Sequence, residues 1–187
     1  MLLNHWHRLM QASNPEDTHW LMSRTHYAPV LEYCGGTEIG GAFCGGTLLH
    51  PTVPAAFATC NLGFDLLLLP PSADGTSAAT AGARKPETGS GAVPMSQRRP
   101  ARGEVAVRAP ALGASQTLLN RDHFEVYYAG MPVHAGVYGT EMALRRHGDE
   151  MEVLPGSGYF RAHGRTDDTM NLGGIKVCKN QDPILWF

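Results

Sequence analysis

The residues best suited to chemistry stand in one short turn. Glycines flank a hydroxyl and a carboxylate in Cys34-Gly35-Gly36-Thr37-Glu38-Ile39-Gly40-Gly41. Glycine lets backbone N–H groups approach an anion closely. Thr37 can donate a hydrogen bond to a phosphate oxygen, and Glu38 can face a hard cation such as Mg²⁺. The turn therefore suits a nucleotide phosphate and its metal, although a glycine pair beside Thr-Glu is, taken alone, an ordinary surface turn.

Three further segments follow this turn in a fixed order. They are Gly103-Glu104-Val105-Ala106-Val107, then Arg145-Arg146-His147-Gly148-Asp149, then Gly164-Arg165-Thr166-Asp167-Asp168 continuing to Leu172-Gly173-Gly174-Ile175-Lys176-Val177. Together with the turn they resemble the AMP-forming acyl-CoA synthetases, an adenylate-forming family. The residue sequences of these segments are similar to those of the plant peroxisomal acyl-activating branch of that family. The resemblance covers roughly residues 11–61 and 103–177.

The resemblance implies a nucleotide site made by residues far apart in the chain. Thr37 would touch the AMP phosphate, Glu38 would help to hold Mg²⁺, and Asp149 would accept hydrogen bonds from the ribose hydroxyls. Arg165 would reach the ribose or the phosphate, and Asp167 would lie at a hinge between a large and a small domain. The residue types suit these tasks, because a carboxylate can accept from two vicinal hydroxyls and a planar guanidinium matches a phosphate.

The residues before Thr37 complete the expected nucleotide-binding set, with Tyr33, Gly35 and Gly36. The position at which many family members carry an adenine-stacking aromatic ring is Cys34 here, one residue after Tyr33. The family's glycine-rich phosphate loop lies well upstream of this turn and has no counterpart in the sequence. The chain is therefore expected to be a piece of a ligase, with little or no turnover by itself.

The activity implied by the resemblance is ATP-dependent conversion of a carboxylic acid to an acyl-AMP, followed by transfer to CoA. ATP or AMP, Mg²⁺ and CoA are then the cofactors, and a carboxylic acid is the substrate. The alternative is a non-catalytic remnant that binds AMP, or an interaction module that pairs with a full-length homologue. The apolar end Leu185-Trp186-Phe187 favours self-association.

Composition argues against several other classes of function. A formal net charge of −2 and a pI near 6.5 leave no basic field for nucleic acid. No Cys-x-x-Cys pair occurs among the four cysteines, so neither a zinc ribbon nor a redox motif is indicated, and reduced intracellular thiols are expected. The apolar run Leu66 to Leu69 is too short to span a membrane. The C-terminus is not Ser-Lys-Leu, which leaves a cytoplasmic or a peroxisomal location open.

The elements that must position the turn begin with a helix. Ser13-Asn14-Pro15-Glu16 has a capping-box spacing with proline in the first turn, and the helix should end before Pro29. A strand from Val30 to Tyr33 then delivers the Thr-Glu turn on a rigid element. Gly40 to Gly46 is expected to continue as turn or irregular chain.

Later patterns predict the rest of a mixed sheet. Phe64 to Leu69 should be a strand buried on both faces, and Gly103 to Arg108 a half-buried strand. His123 to Tyr128 alternates weakly, and its two tyrosines either line an acyl or CoA pocket or pack the core. Leu144 to Val153 and Gly158 to Arg165 predict a hairpin that brings Asp149 near Arg165.

These patterns predict an α/β fold, specifically a partial large domain of an adenylate-forming enzyme with a mixed sheet, a hairpin and a flexible insertion. Residues 1–69 would be the C-terminal part of the AMP-binding large domain, and 103–166 its remainder with the ribose-binding hairpin. Residues 70–102 are rich in small residues and proline, so they should form a flexible low-complexity insertion. Residues 167–187 would hold the hinge and the truncated start of the small domain.

Overall fold

The computed structural model describes residues 6–9, 14–71, 91–135, 139–166, 169–172 and 175–178. Two α-helices and thirteen strands are formed by these residues. In chain order they are β1 (Trp6–Leu9), α1 (Pro15–Arg24), β2 (Val30–Gly36), β3 (Gly41–Gly45), β4 (Thr59–Cys60), β5 (Asp65–Leu69), β6 (Val93–Pro94), β7 (Ala101–Arg108), α2 (His123–Tyr127), β8 (Val133–Ala135), β9 (Glu141–Ala143), β10 (Arg145–Val153), β11 (Phe160–Arg165), β12 (Thr169–Leu172) and β13 (Ile175–Cys178). The predicted mixed α/β class is confirmed, with strands predominating.

Two larger sheets hold most of the described strands. The first has the order β1-β2-β3-β4, in which only β1 and β2 run parallel, and the second has the antiparallel order β11-β10-β7-β5-β6. A bridge of two backbone hydrogen bonds between Phe57 and Phe160, 2.7 and 2.9 Å long, joins the segment just before β4 of the first sheet to the edge strand β11 of the second. The pairs β8-β9 and β12-β13 form separate two-stranded ribbons.

The main core lies between these two sheets, and a second cluster covers the opposite face of the second sheet. Leu66 and Leu68 of β5 join the main core, while Leu67 and Leu69 join the second cluster. Since successive side chains of a strand point to opposite faces, β5 is covered on both sides, and this prediction is confirmed. The predicted half-burial of β7 is wrong, because Ala106 is as fully buried in the second cluster as its neighbours are in the first.

Helix α1 follows the predicted cap chemistry with a small displacement. Asn14 is the N-cap, and its side chain accepts a 2.7 Å hydrogen bond from the backbone N–H of Asp17. Proline at the first helical position loses no hydrogen bond, because the backbone N–H of any residue at that position has no partner within the helix. The helix ends at Arg24, before Pro29 as predicted, and the chain then enters β2, which runs to Gly36 rather than Tyr33.

Two other predictions about local structure are wrong, and one weakly alternating segment forms a helix. Residues 91–102 belong to the predicted flexible insertion, but they include β6, a 3₁₀ turn at Met95–Gln97 and the start of β7. Met95 is fully buried in the main core, and β6 and β7 both pair with β5, so burial and strand pairing together order this stretch. Gly41–Gly45 forms β3, and His123–Tyr127 forms a short helix capped by the Asp122 side chain.

The hairpin prediction is confirmed, because β10 and β11 pair antiparallel and Asp149 lies opposite Arg165. Among the described residues, no helix is both long and apolar enough to cross a membrane. The rest of the predicted insertion, residues 72–90, lies outside the described residues, as do Asp167 and the C-terminal residues Leu185, Trp186 and Phe187.

Candidate functional site

The Thr-Glu turn is a 3₁₀ turn, Thr37–Ile39, that joins β2 to β3. Ile39 is fully buried and anchors the turn in the main core, while Thr37 is exposed. Close packing against backbone requires glycine at position 35, where a Cβ would lie 2.1 Å from the Gly41 carbonyl oxygen. At Gly36 a Cβ would lie 2.7 Å from a carboxylate oxygen of Glu38, the movable end of a side chain. The Glu38 side chain therefore folds back over the end of β2, beside Thr37.

A bulge in β10 presents the hairpin carboxylate. Arg146 pairs with Ala106 and Glu150 with Glu104, so three residues of β10 oppose the single residue 105 of β7. Gly148, at the centre of these three, has φ of +89°, a conformation that favours glycine. Bulges re-aim side chains at sheet edges and functional sites. Here the bulge turns His147 and Asp149 toward the same small region.

The bulge is held by β11 and the residue after it. Arg165 Nη1 donates to the His147 carbonyl at 3.1 Å, and Thr166 donates to the Gly148 carbonyl through its N–H and its Oγ1, at 2.9 and 3.1 Å. A Cβ at Gly148 would lie 2.7 Å from Arg165 Nη2, so only glycine leaves room for the guanidinium. The positions of Arg165 and of the bulge are therefore interdependent.

Three side chains contact the carboxylate of Asp149. Arg165 Nη1 lies 3.2 Å from one carboxylate oxygen; His147 Nδ1 lies 3.3 Å from the other, which also accepts from Cys34 Sγ at 3.8 Å. Burial by itself would raise the pKa of the Asp149 carboxyl, but hydrogen bonding and charge from His147, followed by Arg165, outweigh burial and hold that pKa below its usual range. Asp149 is thus an ionised acceptor at neutral pH.

Three cysteines lie side by side across the first sheet. Cys44 of β3 pairs with Cys34 of β2 on one side and with Cys60 of β4 on the other, and all three are free thiols. Burial raises the pKa of Cys44 well above its usual value and that of Cys60 to about 11. Cys44 and Cys60 are therefore protonated at neutral pH and poorly nucleophilic. The Cys34 thiol donates a hydrogen bond to the Asp149 carboxylate.

The structure brings the Thr-Glu turn and the hairpin together through two contacts. Cys34, three residues before Thr37 on β2, touches Asp149. Arg145, four residues before Asp149 on β10, donates through Nη2 to the Glu38 carbonyl at 3.1 Å. The turn and the hairpin are separated by more than one hundred residues in the sequence but share one neighbourhood.

The predicted site residues fall into two groups in this geometry. Asp149 of β10 and Arg165 of β11 are in direct contact, and the turn that holds Thr37 and Glu38 packs against β10. Tyr33 lies next to Cys34 in β2, so its side chain projects to the opposite face of the strand from the Asp149 contact. Tyr33 is therefore not brought to Asp149.

Sequence reasoning gave no role to two residues that the structure places in this region. His147 is buried, lies against Asp149 and packs edge-on against the Phe43 ring with centroids 4.3 Å apart. Arg145 is buried as well and contacts the turn. A buried charged side chain is rare, so the burial of Arg145 is informative once the structure is known. In the sequence its only signal is its position after the apolar Leu144 at the start of a strand pattern. That signal is also common in surface strands.

The donor set fits a metal that is shared with a ligand better than one held by protein alone. In the described part of the chain, no group of three His, Cys, Asp or Glu side chains lies close enough to hold a metal ion. No cation in those same ranges pairs with the Glu38 carboxylate. Mg²⁺ usually takes one or two carboxylates and completes its shell with phosphate oxygens and waters. Glu38 alone is compatible with that arrangement.

The depressed pKa of Asp149 predicts a pH-dependent contribution to stability. A carboxyl whose pKa is lower in the folded than in the unfolded chain stabilises the fold above its ordinary value of 3.8, and this stabilisation disappears as the pH falls through the folded value. We expect the unfolding free energies of the wild type and Asp149→Asn to differ at pH 6 and to converge below about pH 4. Urea unfolding across this range measures the gap, and a gap that stays constant contradicts the assignment.

Comparison with known proteins shows what this chain is similar to. No family model matches it. Curated relatives nevertheless confirm the resemblance seen in the four motifs: they are plant acyl-activating enzymes and an acyl-CoA synthase, consistent with a segment of an AMP-forming acyl-CoA synthetase.

Three relatives match the same length of chain. Over 167 residues the chain is 47% identical to probable acyl-activating enzyme 17, peroxisomal, of Arabidopsis thaliana, and 42% identical to hexanoyl-CoA synthase of Cannabis sativa. It is 39% identical to probable acyl-activating enzyme 18, peroxisomal, of Arabidopsis thaliana. Each match includes 89% of this chain but 20% of the relative, so the chain spans about a fifth of the length of these relatives.

Proposed function

We propose that the described residues form part of the nucleotide site of an AMP-forming ligase, which joins a carboxylic acid to CoA through an acyl-AMP. The observation that carries this proposal is the packing of the Thr37-Glu38 turn against the strand of Asp149, through the Cys34 thiol and the Arg145 guanidinium. The names of the relatives support the reaction class. ATP or AMP, CoA and the carboxylic acid are then its ligands.

Asp149 is proposed to bind the ribose. Its carboxylate is ionised, partly accessible and already oriented by His147 and Arg165. Two vicinal hydroxyls can donate to the two oxygens of such a carboxylate, and orientation before binding lowers the entropy lost on association. Arg165 is proposed to reach the ribose or phosphate while it stays paired with Asp149.

The Thr37-Glu38 turn is proposed to bind the phosphate end of the nucleotide. Thr37 is exposed and can donate its hydroxyl hydrogen to a phosphate oxygen, with Gly35 and Gly36 keeping the backbone close. The carboxylate of Glu38 would be a ligand of Mg²⁺, which when bound supplies positive charge to the phosphate oxygens. Tyr33 remains a proposed neighbour of the nucleotide from the other face of β2.

The proposed reaction needs electrostatic stabilisation more than proton transfer. A carboxylic acid is already ionised at neutral pH, so its oxygen can attack the α-phosphorus of ATP without a general base. The bond to pyrophosphate breaks, and the sulfur of CoA then attacks the acyl carbonyl and releases AMP. The groups of this chain would hold the charged phosphate in place during the first step.

Pyrophosphate release by a complete ligase that contains this segment measures the first step. With ATP, Mg²⁺ and hexanoate, an acid chosen from the name of the Cannabis sativa relative, we expect Glu38→Gln to lower the rate about 100-fold and to raise the Mg²⁺ concentration needed. The matched control is Glu141→Gln, which neutralises an exposed carboxylate on β9 and should leave the rate unchanged. An unchanged rate in Glu38→Gln contradicts the metal assignment.

Calorimetry with AMP, combined with the pyrophosphate assay, distinguishes the ligase from the second candidate, a non-catalytic AMP-binding module. AMP binding without pyrophosphate release would favour the module, and neither signal would contradict both. We also propose that the module pairs with a full-length homologue or with itself. Asp167 remains the proposed hinge residue, and the proposed boundaries between the parts of the chain remain at residues 69, 102 and 166. The two relatives from Arabidopsis thaliana favour a peroxisomal over a cytoplasmic location.

A further inference from the structure

The carbonyl group of Glu38 is the point at which the Thr-Glu turn is attached to the rest of the fold. It accepts two hydrogen bonds, one from the backbone N–H of Ser115 at 2.8 Å and one from Nη2 of Arg145 at 3.1 Å. The second bond comes from a cation, and hydrogen bonds from ionised donors are stronger than neutral ones. The orientation of the peptide after Glu38 is therefore set by Arg145 and Ser115 together.

The Arg145 side chain is itself fixed in one place. Its guanidinium carbon lies 3.8 Å from the centroid of the Tyr127 ring, and Nη2 also donates to Ser115 Oγ at 3.2 Å. Arg145 is only 3% exposed, and its Nε and Nη1 have no hydrogen-bond partner among the described residues. The ring face and the two acceptors are thus the contacts, within the described ranges, that compensate the burial of this charge.

A lysine could not make the same set of contacts. The guanidinium is planar, so it can stack on the Tyr127 ring and donate in its own plane to two acceptors at once. An ammonium group is a strongly hydrated point charge with no face to stack. Arg145 also begins β10, the strand that carries Asp149 four residues later. The same strand therefore presents Asp149 and holds the turn.

We infer that Arg145 is a positioning residue for the nucleotide site, which acts through the Glu38 carbonyl and keeps Thr37 and Glu38 at a fixed place relative to Asp149. Tyr127 keeps the guanidinium in register with that carbonyl. The nucleotide part of this inference rests on the proposed function, whereas the attachment of the turn does not. Arg145 acts through the turn and does not itself contact the substrate.

Hydrogen exchange of two backbone amides tests the attachment directly in the full chain. The Ser115 amide donates to the Glu38 carbonyl, and the Gly40 amide donates to the Thr37 carbonyl at 3.2 Å. In Arg145→Lys we expect both amides to exchange about tenfold faster, because one charge-assisted hydrogen bond to the turn is lost. AMP affinity measured by calorimetry should fall about tenfold in the same variant. The melting temperature should change little compared with these local effects.

The matched control is Arg102→Lys, because Arg102 is an exposed residue that pairs with Glu150 on the same sheet. That variant should leave both amides and AMP affinity as in the wild type. Tyr127 gives a second test if Arg145→Lys does not fold: Tyr127→Phe keeps the ring face and should behave as the wild type, and Tyr127→Leu should reproduce the faster exchange.

The outcomes separate this inference from the proposed function. Unchanged exchange at Gly40 and Ser115 in Arg145→Lys, or in Tyr127→Leu where the first variant does not fold, overturns the positioning role. Faster exchange together with weaker AMP binding supports both. Faster exchange in a protein whose wild type binds no AMP supports the attachment of the turn by Arg145 and contradicts the proposed nucleotide site.

Discussion

Replacing Asp149 with alanine is expected to weaken AMP binding about 100-fold, a larger loss of affinity than we expect for any other single substitution in the site. Two charge-assisted hydrogen bonds to the ribose hydroxyls would be lost together. Asp149→Asn keeps the size of the side chain and should show a smaller loss in the same direction. Calorimetry measures both affinities, and thermal unfolding of the same samples shows whether the fold is kept.

Two controls make this result specific to the ribose. Glu150→Gln neutralises the adjacent carboxylate, which pairs with Arg102 at the surface, and should leave AMP affinity unchanged. The wild type should bind 2′-deoxy-AMP more weakly than AMP, while Asp149→Ala should no longer distinguish them, because the two changes remove the same interaction. Equal discrimination in the wild type and Asp149→Ala would contradict the ribose assignment even if both variants bound weakly.

Gly35→Ala is expected to produce the largest loss of stability, about 3 kcal/mol in unfolding free energy. Its Cβ would lie 2.1 Å from the Gly41 carbonyl oxygen, a backbone atom that cannot move without opening the connection between β2 and β3. Because Thr37 and Glu38 lie within this connection, AMP binding should fall as well. Urea unfolding and AMP calorimetry on the same preparation measure the two effects.

Gly46→Ala provides the matched comparison in the same region. Its Cβ would meet Leu31 Cδ2 at 3.3 Å, the end of a side chain that can rotate away. We expect a change within about 1 kcal/mol and unchanged AMP affinity. If the two alanine variants were equally stable, the close approach of Gly35 to Gly41 would not constrain the turn.

The site residues that could be predicted from the sequence are those within short local patterns. Glycines around Thr37 and Glu38 predict a turn because few other residues adopt such close packing, and the spacing of two strand patterns around Pro155-Gly156 predicts the hairpin that pairs Asp149 with Arg165. Both are contacts between residues near one another in the chain or paired in one hairpin. Local pattern and final structure agree in these places.

The contacts that join the turn to the hairpin could not be predicted in this way. Cys34 and Asp149 are 115 residues apart, and Arg145 and Glu38 are 107 apart. Each depends on how the two large sheets pack, which no local pattern encodes. His147 shares a strand face with Asp149 by simple alternation, but its burial against Phe43 of the other large sheet is again a contact between distant segments.

The errors at Met95 and Gly41–Gly45 have a common origin. A window rich in small residues predicts disorder, yet here the burial of Met95 is combined with the pairing of β6 and β7 with β5. Likewise, glycines in β3 would weaken an isolated strand, but Cys44 and Phe43 are fully buried there and pair with or pack against the neighbouring strands. Tertiary packing overrides propensity in both segments.

The two hydrogen bonds from Thr166 to the Gly148 carbonyl close the open end of the hairpin. Both the N–H and the Oγ1 of Thr166 donate to this carbonyl, which belongs to the bulge beside Asp149. Fraying that begins at Thr166 must break both bonds before it reaches the bulge. The Asp149 carboxylate is therefore protected against local opening at this end of the hairpin.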